Sequence, residues 1–258
     1  MHRRNLKSVI FWGSVALLML VPILFVVQTA NANPACGDLL YTWTGATTAG
    51  GPVYHVKAVV TPQNRPIFCG DGSGSPNSGI STWALLAGSG CRTYAQSGFS
   101  KDFGQPYVHR FWEWNNGATC DDNSERGFFD DPNTVPINTP YVLEEVYKSK
   151  SGKVRMWIDS TAYTTPFIVK NNPNWGPIAS WRAQWSGETH TPGDNMFGTP
   201  TSKFLFNDIW IKACNNCSLI RPSGVSLINQ DENGNTNTRY GISWTQQNQS
   251  FSIWTVTP

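Results

Sequence analysis

Apolar and polar positions alternate with a period of two over a series of short runs along this chain. Residues 53–61, 107–114, 141–148, 154–160, 204–212, 225–229 and 239–245 mix β-branched and aromatic residues over strand lengths, and clusters of Gly, Pro, Asn and Asp separate them. No stretch beyond residue 32 holds a helical period over three turns. The pattern predicts an all-β sandwich, with long loops at 70–81 and 119–139. The segments 148–153 and 231–234 read as hairpin turns, the second of type I′ because Asn233 precedes Gly234. No internal repeat and no linker-like tract divides the chain.

Strand alternation then says which side chains share a surface. Within 107–114, Tyr107, His109, Phe111 and Glu113 fall on one face, and Val108, Arg110, Trp112 and Trp114 on the other. Within 183–190, Gln184, Ser186 and Glu188 share a face opposite Ala183 and Trp185. The segment Tyr94-Ala95-Gln96-Ser97-Gly98 and the segment ending in Gly187-Glu188-Thr189-His190 each set a polar group among small and aromatic residues. Gln96 and Glu188 are therefore candidates for a shared site on one concave face, within a direct contact of roughly 2.6–3.2 Å or one water. A carboxylate there is desolvated, which raises its pKa toward the range useful for proton transfer.

The first 32 residues change the picture of charge and compartment. Arg3, Arg4 and Lys7 precede an uncharged, mostly apolar run at 9–27, and Ala30-Asn31-Ala32 supplies a small-x-small cleavage pattern. A signal peptide over 1–32 is expected, with a single domain at 33–258 and a secreted, extracellular product. A run of that length also suffices for an uncleaved membrane anchor at 9–27. Losing the leader turns the formal net charge of +2 slightly negative, so no nucleic-acid partner is expected. Charged residues make up only 14% of the chain and there are 12 Trp, against roughly 25% charged residues in typical proteins; this fits an exported β-protein with an aromatic groove. The six cysteines, Cys36, Cys69, Cys91, Cys120, Cys214 and Cys217, all follow the leader and read as disulfides of unspecified pairing. The Cys214-Asn215-Asn216-Cys217 spacing has no second CxxC or His pair beside it, so no metal is expected.

Several short motifs occur in an order that resembles the glutamic peptidases, or eqolisins. They are Val56-Lys57-Ala58-Val59-Val60-Thr61-Pro62, Trp83, Cys91 with Gln96 and Gly98 after it, Phe111-Trp112-Glu113-Trp114, and Ala183-Gln184-Trp185-Ser186-Gly187-Glu188. The resemblance implies a concanavalin-like (jelly-roll) sandwich of two antiparallel sheets. It implies catalytic roles for Gln96 and Glu188, with Trp83, Glu113 and Trp114 at the substrate cleft; His190, two residues after Glu188, is a further candidate for substrate binding. It further implies a polypeptide substrate, water activation by the Glu, oxyanion stabilisation by the Gln, and no cofactor. A monomer is expected. The chain departs from the family at Ala87, where the family has Asp, and at Ser186-Gly187, where it has bulky apolar residues. Gly187 through Asp194 also resembles a segment of secreted bacterial proteins of unassigned function.

Other readings of the same residues remain open. Gln96 can be a structural amide, Glu188 can order a turn, and Glu113 can serve as an ion-paired support with Arg110 as partner. His109, His190 and Asp194 can tune or bind. Glu113 with Glu188 can also form the carboxylate pair of a glycoside hydrolase acting on a polysaccharide, and exposed tryptophans can make a glycan-binding module without catalysis.

Overall fold

The computed structural model describes residues 40–67, 79–89, 93–117, 124–129, 135–159, 168–171, 175–191 and 193–256. The leader and Cys36, Cys69, Cys91 and Cys120 lie outside these residues. Among the described residues the chain forms fourteen strands: β1 (Thr42–Thr48), β2 (His55–Val60), β3 (Gly79–Ala87), β4 (Thr93–Asp102), β5 (His109–Asn116), β6 (Glu125–Phe128), β7 (Tyr141–Lys148), β8 (Lys153–Asp159), β9 (Ile168–Asn171), β10 (Arg182–Thr189), β11 (Phe204–Lys212), β12 (Val225–Asp231), β13 (Tyr240–Gln246) and β14 (Ser250–Thr255). One 3-10 turn, Ile178–Ser180, precedes β10.

Two antiparallel seven-stranded sheets stack as a sandwich. Sheet A runs β12-β1-β10-β3-β4-β5-β6, and sheet B runs β13-β14-β11-β2-β7-β8-β9. The inner face of sheet A sends Ala46, Ala84, Leu86, Ala95, Phe99, Ala183 and Trp185 into the core, against Val56, Leu143, Met156, Phe206 and Ile253 of sheet B. Trp185 fixes one layer to the other, because its Nε1 donates to the carbonyl of Lys57, 3.1 Å away on β2.

A second apolar cluster covers the opposite, outward face of sheet A: Trp83, Leu85, Ala87 and Phe111, joined by Trp43 and Tyr94. This cluster explains why all nine residues of β3 are buried, where a half-solvated strand would alternate. The middle of sheet A is therefore buried on both faces.

Two predicted turns differ in outcome. The segment after Lys148 closes the β7–β8 hairpin, with Ser151 N donating to Lys148 O at 3.0 Å and Gly152 at φ 61°. The segment at Asp231 is not type I′, since Asn233 keeps a negative φ and a type I′ turn needs positive φ at both central residues. The Asp231 carboxylate holds it instead, accepting from the backbone N–H of Asn233 at 2.9 Å and of Asn235 at 2.8 Å. The chain then passes to the other sheet, so β12 and β13 form no hairpin. The predicted loop over 119–139 contains the edge strand β6, and the one predicted over 70–81 overlaps the start of β3. Cys214 and Cys217 are joined in a disulfide.

Candidate functional site

The ladder registers assign the outward face of sheet A row by row. One row reads Thr47, Gln184, Leu85, Gln96, Glu113, Arg126; the next reads Gly45, Ser186, Trp83, Gly98, Phe111, Phe128; the third reads Trp43, Glu188, Ser81, Ser100, His109. Gln96, Glu113, Glu188 and Trp83 thus share one face. Gly98 sits between Trp83 and Phe111, where a Cβ would lie 1.8 Å from the carbonyl oxygen of Thr82. Only glycine allows β3 and β4 to approach so closely; the rings on either side of it, Trp83 and Phe111, are 2% and 1% exposed.

Glu188 lies at one corner of this face, with its side chain 14% exposed. Trp83 Nε1 donates to Glu188 Oε2 at 2.9 Å, a hydrogen bond to a charged acceptor worth about 1.5–3 kcal/mol. The other oxygen, Oε1, lies 3.8 Å from His190 Nε2. Burial raises the pKa of this carboxyl above its ordinary value. His190 and the Trp83 hydrogen bond oppose the rise, the charge of Glu113 adds to it, and that of Arg126 lowers it.

His190 is held from both sides of its backbone. Its N–H donates to Gly79 O at 3.0 Å, and its carbonyl accepts from Leu40 N–H at 2.9 Å. Its ring packs 5.0 Å from Tyr41. The segment that follows is clamped by Asp194: Thr191 Oγ1 donates to its carboxylate at 3.0 Å, and Tyr240 Oη donates to its carbonyl at 2.8 Å. Burial pushes the Tyr240 phenol up to about 12, so it remains a donor there. Asp194 is fully buried and acts as the anchor of this segment.

At the opposite corner, Glu113 accepts two hydrogen bonds. Tyr94 Oη donates to Oε1 at 2.5 Å and Gln96 Nε2 donates to Oε2 at 3.1 Å. Arg110, the partner weighed for Glu113, points to the inner face, is 1% exposed, and donates to the carbonyl of Ile158 at 3.5 Å. A cleft of about 120 Å³ adjoins this corner, lined by Leu85, Ala87, Gly88, Thr93, Tyr94, Arg182 and Gln184.

Gln96 and Glu188 do not touch. They stand two strands apart and four positions out of register, about 16 Å between Cα atoms on a flat sheet. The Gln96 amide bonds Glu113, and Glu188 bonds Trp83. The expected contact through a single water gives way to two separately anchored side chains on one face. Trp114, grouped by the resemblance with Glu113 at the cleft, faces the inter-sheet core and is 8% exposed. Adjacent strand residues point to opposite faces, so the outward position of Glu113 sends Trp114 inward.

Two site residues escaped the sequence reading. Tyr94 was legible by parity, two positions before Gln96 and so on its face. Arg126 lies on β6, too short to leave a pattern.

Comparison with known proteins agrees with this architecture. No family model and no curated protein matches the sequence. Among solved structures, a crystal structure of scytalido-glutamic peptidase with a transition state analog inhibitor matches with a TM-score of 0.61 at 13% identity, covering 85% of this chain and 100% of that one. A second, with a peptide based transition state analog, matches with a TM-score of 0.57 at 15% identity and the same coverage. At these identities the likeness is one of fold: the chain is a two-sheet β-sandwich similar to that of the glutamic peptidases.

Proposed function

We propose that this protein is a secreted, acid-active endopeptidase in which Glu188 moves the proton and Gln96 stabilises the oxyanion. The observation that carries the reading is the state of Glu188: a carboxyl shielded from water on the outward face, one oxygen anchored by the Trp83 indole and the other directed toward His190. With Oε2 held, Oε1 is the atom that takes a proton from the attacking water and returns it to the leaving amine. Burial raises its proton affinity while Trp83 and His190 restrain the rise, which suits a group that must both accept and donate in acid. Glu113 occupies one N–H of the Gln96 amide. To serve the same carbonyl as Glu188, two strands away, the Gln96 side chain has to turn from Glu113 toward it on the shared face, and an amide N–H then donates to the developing oxyanion, a contribution of ~3 kcal/mol in comparable sites.

A second reading takes Glu113 and Glu188, which share the outward face three strands apart, as a carboxylate pair acting on a glycosidic bond. Both Glu113 oxygens already accept hydrogen bonds, and this favours a holding role. The test is to incubate the purified protein with denatured protein and with polysaccharides in parallel at about pH 3–5, a range in which carboxyl groups titrate. New peptide termini are expected. Oligosaccharide release without peptide cleavage overturns the proposal.

A further inference from the structure

Arg126 occupies the outward face at the β6 edge, in the row of Gln96 and Glu113. β6 is short, and its position is fixed by packing: the Trp112 ring fills the space where a Cβ of Gly127 would stand, 2.7 Å away, and Lys170 caps the same ring at 4.4 Å. From this edge the Arg126 guanidinium lies 5.1 Å over the Phe111 ring and 6.0 Å from that of Phe128, and its Nη2 donates to Ser100 Oγ at 3.1 Å. Stacking and a hydrogen bond orient the planar fork before any ligand arrives, so little side-chain entropy remains to be lost on binding.

Its charge is nonetheless unspent. Among the described residues no carboxylate forms an ion pair with it. Glu113 across the ladder is taken by Tyr94 and Gln96, and Glu125 next to it pairs with Lys170. Its field reaches Glu188, whose protonation it opposes. An oriented guanidinium with open donors, on the face it shares with Gln96, Glu113 and Glu188, matches a carboxylate, which it can bind through two parallel N–H···O bonds.

We infer that Arg126 is a specificity-determining residue that binds a carboxylate of the bound chain, either an acidic side chain or a free C-terminal carboxylate. This rests on the peptidase reading for the identity of the ligand. The geometry of the anchor stands without it.

The test measures peptide binding by calorimetry to the full protein carrying Glu188→Gln, at about pH 6, where peptide carboxylates are ionised. Glu and then Gln are walked through each position of an otherwise neutral, end-blocked peptide, and a parallel series has a free C-terminus. One register, or the free terminus, is expected to bind about tenfold more tightly with the carboxylate present, as for a charge-assisted hydrogen bond. Added Arg126→Gln erases that preference with an unchanged melting temperature, and Arg126→Glu turns it toward Lys. The arm that carries the preference identifies the source of the carboxylate. Equal binding of all carboxylate and neutral peptides, no saturable binding of either, or a preference that survives Arg126→Gln overturns the inference. Arg126-dependent binding by a protein that cleaves no peptide removes the peptidase reading and keeps the anchor. Cleavage without any such preference does the reverse.

Discussion

Glu188 and Glu145 are both carboxyls that burial drives above the ordinary range, yet they belong to opposite sides of sheet A. The dividing line passes between neighbouring residues of β4: Gln96 lies on the outward face with Glu188, and Ser97 faces the core, where its hydroxyl donates to Glu145 Oε1. Glu145 is fully buried, and its second oxygen has no hydrogen-bond partner among the described residues. Glu188 instead has an indole on one oxygen, a histidine near the other, and a side chain 14% exposed. A raised pKa is therefore no mark of chemistry by itself; burial produces it in a core and in a cleft alike. Access and the partners of each oxygen separate the two.

The largest expected effect on this contrast lies on the outward face. Gln96→Ala is expected to lower peptide turnover by about 10²–10³-fold with KM largely kept, because the interaction strengthens only in the transition state. Steady-state kinetics on a fixed peptide check it, and an equal loss in KM with kcat unchanged would reduce Gln96 to a substrate contact. Next comes Trp83→Phe, which keeps an aromatic ring and removes the indole donor. A loss of about tenfold in kcat/KM is expected from the missing hydrogen bond to the carboxylate. Since that bond lowers the pKa of Glu188, its removal shifts the acid limb of the pH–rate profile upward.

Gly98→Ala probes the close approach of β3 and β4. A methyl group there meets the backbone of Thr82, so β3 and β4 must separate, and a loss of about 1–3 kcal/mol is expected by analogy with overpacked cores. Thermal melting checks this, and an unchanged midpoint would mean that the close approach is not a constraint.

The smallest effect belongs to the core carboxyl and appears only as pH changes. Glu145 has a folded-state pKa raised well above 4.5, so its contribution to stability is fully present below the unfolded value and is lost as pH rises from there toward the folded one. Glu188 acts in the same sense. Glu144 has the opposite sign, because His55 and Lys57 hold its pKa below the ordinary value despite burial, and its contribution is lost as pH falls. Comparing Glu145→Gln with the unmutated protein isolates one group: the variant is expected to gain stability relative to the parent as pH rises from about 4.5 toward neutrality. Parallel stability curves would mean that Glu145 keeps its ordinary pKa.

Much of this architecture was legible in the sequence, for a physical reason in each case. β7 over Tyr141–Glu145 and β11 over Phe204–Asn207 alternate because one face of each meets the core, a register shift past Asn207 breaks the pattern of β11, and both strands follow the expected limits, 141–148 and 204–212. β6 and β9 span four residues each and are fixed by partners rather than pattern. Parity placed Glu113 and Glu188 on faces that the ladders later made common. It also set Trp114 opposite Glu113, where the family resemblance grouped the two. The pairing of Gln96 with Glu113 was not legible, because it depends on the order of strands in the sheet. Arg126 was hidden in a stretch that reads as loop, and Glu145 adjoins Glu144 in a strand where sequence alone does not tell which of two acids turns inward.

The most direct test of the central claim is a single substitution read in two ways. Glu188→Gln removes the titrating oxygen and keeps the shape, including an acceptor for the Trp83 indole. Peptide products from a denatured protein at pH 3–5, where carboxyls titrate, are to be followed by mass spectrometry for parent and variant, with the thermal midpoint of each. The expected result is cleavage by the parent, loss of cleavage by the variant, and nearly equal midpoints. Unreduced cleavage by a folded Glu188→Gln protein, or no cleavage by the parent at any acidic pH, would contradict the assignment of Glu188 as the proton-transfer group.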